Sequence, residues 1–148
     1  DVGGNIRHAN RYVDGKHRVS LATFIERQGW QTLFPSEWRT WDIHVDIAGF
    51  IIARDRAELS LVECKLRPIT LGDLSQLLGY SRVAKPLLAF LVSPAGISGS
   101  LTSLLLAYNR WDVLVYDQPR GKVPRSITLG TWNPDGEYLD SSSIIGLK

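Results

Sequence analysis

Leu59-Ser60-Leu61-Val62-Glu63-Cys64-Lys65 is an apolar, strand-like run with an acid and a base set two residues apart. Successive strand side chains point to opposite faces, so Glu63 and Lys65 share one face while Val62 and Cys64 take the other. The pattern predicts core on the Val62 and Cys64 side and chemistry on the Glu63 and Lys65 side. Cys64 then reads as a small core residue and not a nucleophile, since Val62 and Leu66 give it no activating base. By itself a Glu-x-Lys pair usually marks a solvated, charge-balanced face. The flanking sequence decides what this one is.

Immediately upstream, Ile43 to Ala53 is a longer β-rich run, and Arg54-Asp55-Arg56 is a polar break. Together with Leu59 to Lys65 these predict a β-hairpin. A two-residue turn at Arg54-Asp55 places Asp46 opposite Glu63, and a four-residue turn from Arg54 to Ala57 places it opposite Lys65. Both registers bring Asp46 onto the face of Glu63 and Lys65. Opposed side chains have Cβ atoms about 5 Å apart, near enough for two carboxylates to share a divalent cation. A bulge at Gly49 would move Asp46 to the other face. His44 shares the face of Asp46, where its ordinary role is a hydrogen-bonded flank and metal ligation the special one.

Further upstream, Leu21, Phe24 and Ile25 recur at helical spacing within Val19 to Gln28, with Ser20 placed to cap the start and Gly29 the end. Glu26 lies off the centre of that apolar stripe, beside Val19 and Ala22. Trp30 to Phe34 reads as a first strand ended by Pro35. Trp38 and Trp41 suit either burial or base stacking, with burial the default. Residues Asp1 to Arg18 have no apolar period and carry Arg7, Arg11, Lys16 and Arg18, which fits a solvated terminus or a phosphate-contacting arm equally.

Downstream, Arg67-Pro68 breaks the strand and Thr70 with Asp73 resembles a capping box. Leu74, Leu77 and Leu78 carry a helix to Ala84, with Asp73, Gln76 and Tyr80 together on a polar stripe. Leu87 to Val92 is a continuous apolar run, as expected of a central strand covered on both faces. Leu101 to Tyr108 predicts a third helix, Trp111 to Tyr116 a further strand, Gln118 to Arg125 a basic loop with Arg120 and Lys122, and Ser126 to Trp132 an edge strand. Beyond that the sequence is turn-like. The element order predicts an α/β fold: a mixed central β-sheet flanked by helices.

A chain of 148 residues, 44% hydrophobic and 22% charged, suits one domain. The reading divides it into a basic arm (1–18), a core (19–116) and a C-terminal extension (117–148). One cysteine excludes an intrachain disulfide framework and any four-cysteine metal site, making a reducing, cytoplasmic setting the default expectation. No run approaches the roughly 18 apolar residues of a membrane span, so a soluble protein is expected. The net charge of +2 permits a nucleic-acid partner without demanding one. Neither a Gly-rich phosphate loop nor a Ser or Cys nucleophile constellation is present.

Asp46 in one strand, Glu63-Cys64-Lys65 in its hairpin partner, and the helix and strand that follow resemble the restriction-endonuclease-like nucleases with the PD-(D/E)XK signature. The resemblance covers roughly Val19 to Tyr116 and implies an αβββαβ core. It further implies that Asp46 and Glu63 hold a metal ion and that Lys65 attends the attacking water. Gln76-Leu77-Leu78-Gly79-Tyr80 matches the Gln-x-x-x-Tyr of RecB-like members, which implies that Gln76 and Tyr80 contact substrate or brace the site. Val45 stands at the family's nominal Pro, and the iron-sulfur cysteines of some RecB-like nucleases are absent. Archaeal Holliday-junction resolvases, similar in size and basic arm, carry an acid early in the first helix. Here that region is Arg18, Val19 and Ser20, and Glu26, about two turns later, is the nearest candidate.

The chemistry is consistent with this resemblance. A phosphodiester resists attack because it is already negative, and bound Mg²⁺ or Mn²⁺ offsets that charge and activates water. Asp46 and Glu63 supply hard oxygen ligands, and the backbone carbonyl of Cys64, between the two motif side chains, is placed to add a third. Lys65 beside the carboxylates suits orienting the nucleophile or stabilising the pentacoordinate phosphate. The implied partner is double-stranded or branched DNA, with Arg7, Arg11, Lys16, Arg18, Arg120 and Lys122 as phosphate contacts. A homodimer is implied because related enzymes cut two strands. The other reading is a catalytically inactive nucleic-acid-binding or assembly module with the same fold, prompted by the lack of an acid early in the first helix and the modest charge.

Overall fold

Ser20 starts helix α1, Leu21–Gln28, by accepting the Thr23 N–H at 3.2 Å, and Gly29 ends it at φ 72°, a left-handed conformation that glycine adopts without steric cost. The computed structural model to which these elements belong describes residues 8–13 by their backbone and residues 19–146 with side chains. Arg7, Lys16 and Arg18 of the expected arm lie outside the described residues. Residues His8–Val13 form strand β1, paired antiparallel with β2. The arm was expected to carry no regular element, and β1 corrects that for these six residues; Arg11 lies within it.

Trp30 to Phe34 is not the expected strand. It forms a 3₁₀ turn over Gln31–Leu33, and a second follows over Ser36–Thr40. Tight turns let the aromatic residues gather on one side, where strand alternation would divide them between two faces. Phe24 and Trp30 both lie 5.2 Å from the Phe50 ring, and Phe34 meets Trp41 edge-on at 5.8 Å. Trp38 and Trp41 are buried, which assigns them to the core and not to base stacking.

The hairpin forms as expected, from β2, Ile47–Ile52, and β3, Ala57–Cys64, although β2 begins later than Ile43. Ile47 pairs with Val62 and Ile52 with Ala57, while Ala53 N–H donates to the Arg56 carbonyl at 2.9 Å. The turn is therefore Arg54-Asp55, the register that places Asp46 opposite Glu63. Gly49 pairs with Ser60 without a bulge.

Helix α2, Leu71–Ala84, opens with both halves of the capping box, and β4, Leu88–Ser93, returns parallel to β3. The third helix is short: α3, Gly99–Thr102, continues as a single π-helical turn over Ser103–Ala107. Trp111 to Tyr116 was expected to add a strand to the sheet. It forms a 3₁₀ turn and then β5, Val115–Asp117, which pairs with β6, Arg125–Ser126, in a separate two-stranded sheet. The place beside β4 goes to β7, Thr128–Asn133, with β8, Tyr138–Leu139, outside it. Ser126 to Trp132 thus contributes an interior strand. Ile127, Thr128 and Leu129 are all buried, as an interior position rewards, whereas Asp112 on the rejected segment is exposed and ion-paired to Arg110.

The result is an α/β fold around a mixed six-stranded sheet in the order β1-β2-β3-β4-β7-β8. Ala48, Phe50, Leu59, Leu61, Ala89 and Leu91 form one core with Leu21, Phe24 and Ile25 of α1 and Leu74, Leu77 and Leu78 of α2. The other face of β4 was expected to be covered as well. Instead Ile47, Val62, Phe90, Val92 and Trp132 line an open groove of about 640 Å³. No helix among the described residues is long and apolar enough to cross a membrane.

Candidate active site

Leu59, Leu61 and Glu63 alternate along β3, and all three are buried. The expected assignment of faces is therefore inverted. Two leucines on the parity of Glu63 are drawn beneath the helices and carry the acid in with them, leaving Val62 half-buried and Cys64 exposed on the groove side. Cys64 is not the core residue expected. Partial desolvation, followed by the carboxylates of Asp46 and Glu63, pushes its thiol upward, so it is no thiolate nucleophile.

Glu63 is only 3% exposed. Its Oε1 accepts from Lys65 Nζ at 2.8 Å, while its Oε2 is buried with no hydrogen-bond partner. Burying a carboxylate oxygen in this way is costly unless a cation or donor meets it. Asp46, one residue before β2, accepts the Cys64 N–H on Oδ2 at 2.8 Å, which holds it at the end of the hairpin in register with Glu63. Asp46 and the pair of Glu63 with Lys65 thus lie at the same sheet end, where β3 gives way to the turn before α2, joined through the Cys64 N–H.

The structure also adds Asp73, which sequence reading placed in the cap and on the polar stripe of Gln76 and Tyr80 but not in the site. Asp73 is 6% exposed and accepts four hydrogen bonds, with a fifth donor, Lys65, at ion-pair distance. Arg67 Nη1 and Nη2 bond its two oxygens at 2.8 and 2.9 Å, and the Thr70 N–H and hydroxyl bond Oδ2 at 2.9 and 2.8 Å. Lys65 Nζ lies 3.8 Å from Oδ1. Burial pulls the Asp73 carboxyl upward, but the bonds from Arg67 and Thr70 outweigh it and hold the group down at about 2. The Thr-x-x-Asp spacing was readable, but the reach of Arg67 back to Asp73 was not.

The remaining candidates are less connected. Gln76 is exposed, and its amide makes no hydrogen bond among the described residues. Tyr80 packs against the core from the same helix. Glu26 is exposed on α1, and no interaction links it to Asp46 or Glu63. His44 Nε2 lies 2.8 Å from Asp42 Oδ1, the hydrogen-bonded flank role. Arg120 and Lys122 are exposed between β5 and β6, without a side-chain partner among the described residues.

Among the described residues no group of three or more His, Cys, Asp and Glu side chains is placed to hold a metal ion. Mg²⁺ typically takes one or two carboxylates and completes its shell with water and substrate phosphate. Asp46 and Glu63, with the Cys64 carbonyl between the motif side chains, fit that donor set, and the buried Glu63 Oε2, which meets no hydrogen-bond donor, is an oxygen that a cation would satisfy. Comparison with known proteins gives no match among family models, curated proteins or solved structures.

Proposed function

We propose that this protein hydrolyses DNA phosphodiester bonds with Mg²⁺ or Mn²⁺, as a nuclease of the restriction-endonuclease-like PD-(D/E)XK type. The observation that carries this reading is a buried Glu63 with one oxygen on Lys65 and the other unpartnered, in register with a pinned Asp46. Asp46, Glu63 and the Cys64 carbonyl would hold the ion. When bound, it would offset phosphate charge and polarise the attacking water. Lys65, anchored by Glu63 and leaning toward Asp73, then orients the nucleophile and meets the charge that develops on the phosphate. Gln76, on the exposed side of α2, is accessible to substrate, and Tyr80 braces that helix. Cutting both strands calls for two sites, hence a homodimer.

Purified protein incubated with supercoiled, linear and branched DNA and Mg²⁺ or Mn²⁺ tests the reading. Lys65→Ala is expected to lower cleavage by roughly 10²–10⁴-fold, the range for a positioned proton-transfer or charge-stabilising group. Cleavage that survives the substitution undiminished removes Lys65 from the mechanism. The second reading, an inactive DNA-binding or assembly module, draws on the exposed Glu26, which leaves the first helix without an acid at the site. It predicts salt-sensitive DNA binding without metal-dependent cleavage, and metal binding lost in Asp46→Ala by calorimetry counts against it.

A further inference from the structure

From Glu63 the charged side chains on one parity step outward. Glu63 is buried, the Lys65 side chain is 19% exposed and that of Arg67 is 60% exposed. Both cations converge on one oxygen, Asp73 Oδ1, which accepts from Arg67 Nη2 at 2.9 Å and lies 3.8 Å from Lys65 Nζ. Arg67 is thus an exposed guanidinium in a fixed pose. It spends Nη1 donors on Asp73 and the Pro68 carbonyl and one Nη2 donor on Asp73, and among the described residues nothing engages its Nε or the rest of Nη2. A free surface arginine loses rotamer freedom when it grips a ligand. The bidentate lock on Asp73 has already removed most of that freedom, so the unused donors are pre-organised for an anion.

We infer that Arg67 binds a backbone phosphate of the nucleic acid next to the one that Lys65 attends, and that Asp73 is the positioning residue for both cations. This rests on the nuclease reading and adds the path of the substrate: the strand passes over the turn from Lys65 to Thr70. Two geometric facts favour a phosphate over a carboxylate side chain from a partner protein. The guanidinium and ammonium face the same side of one buried acid, which suits an anionic chain with regularly spaced charges. Their donors are also graded from interior to solvent along the segment that leaves β3, as for a backbone running inward to the buried site. Contact with phosphate carries no base information, so the effect is independent of sequence.

The test measures binding of wild type, Arg67→Ala and Arg67→Lys to DNA duplexes of two unrelated sequences by fluorescence anisotropy across a salt series, with Mg²⁺-dependent cleavage measured in parallel. Arg67→Ala is expected to weaken binding about tenfold on both duplexes, the scale of one charge-assisted hydrogen-bonded contact. It is also expected to lower the slope of log affinity against log salt by about 1. Arg67→Lys keeps the charge and loses the fork, so its slope stays near wild type while affinity falls by a smaller factor. Asp73→Asn removes no cation and leaves the salt slope unchanged, but it unlocks Arg67 and loosens Lys65, so affinity falls on both duplexes by less than in Arg67→Ala while kcat falls as well. A wild type that cleaves DNA while Arg67→Ala keeps full affinity and slope overturns the inference and leaves the nuclease reading standing. A wild type that neither binds nor cleaves DNA overturns both.

Discussion

The two faces of β3 sort their residues in opposite ways. Beneath α1 and α2, Leu59 and Leu61 share a buried face with Glu63, a charged residue that burial ordinarily excludes. On the other face Val62 and Cys64 border an open groove with Phe90, Val92 and Trp132, and Leu66 just beyond the strand is 91% exposed. Hydrophobicity alone would place the acid outside and the apolar groups inside. The difference teaches that the helix-covered face is held partly by core packing and partly by a cationic network, Lys65 and Arg67 around Glu63 and Asp73, that packing alone does not require.

Four substitutions break or sharpen that contrast. Leu61→Ala, at a position fully excluded from solvent, should destabilise by about 3 kcal/mol in urea unfolding, since the cavity beneath the helices cannot fully collapse. A loss below about 1 kcal/mol would mean the helices do not seal that face. Asp73→Asn should cost about 2 kcal/mol at neutral pH. Because the Asp73 carboxyl is held at about 2 in the folded protein, below the roughly 3.9 of an unfolded chain, its contribution is present above pH ~4 and lost as pH falls toward 2. The stability gap between wild type and Asp73→Asn should therefore close across that window, and a gap that persists at pH 2 would assign the effect to the helix cap alone.

Glu63→Gln removes the buried charge while keeping its shape. It should abolish cleavage and shift stability by no more than about 1 kcal/mol, because relief of the buried, unpartnered oxygen offsets the lost pairing with Lys65, which is partly exposed and still lies 3.8 Å from Asp73. A clear loss of stability would show that Glu63 serves the fold and not a ligand. Leu66→Ser should change stability by less than about 0.5 kcal/mol, because its side chain is already in water. A larger cost would show that Leu66 is covered in solution.

What was legible in the sequence followed from neighbours in the chain. Ser20 and Gly29 bound α1, and Thr70 with Asp73 caps α2, because capping hydrogen bonds close over three or four residues. Counting residues from either turn that the sequence allows puts Asp46 on the face of Glu63 and Lys65, and the observed pairing selects the Arg54-Asp55 turn that sets it opposite Glu63. The parity of Leu59 and Leu61 with Glu63 was readable as well, though it predicts burial of the acid and not its exposure. Trp30 to Phe34 has strand composition, yet its rings pack around Phe50 only in a tight turn, and nothing local to the segment encodes that partner.

By itself the sequence determined the caps, the hairpin and the shared face of Asp46, Glu63 and Lys65, because each depends on contacts closed within a turn or a hairpin. Only the tertiary structure decided that β7 and not Trp111 to Tyr116 lies beside β4, that the groove face stays open, and that Arg67 and Lys65 meet at Asp73. Those outcomes depend on which distant segment buries more apolar surface and on where α2 sets its first turn against the end of β3. Both are settled by the whole core at once and by no single stretch of it.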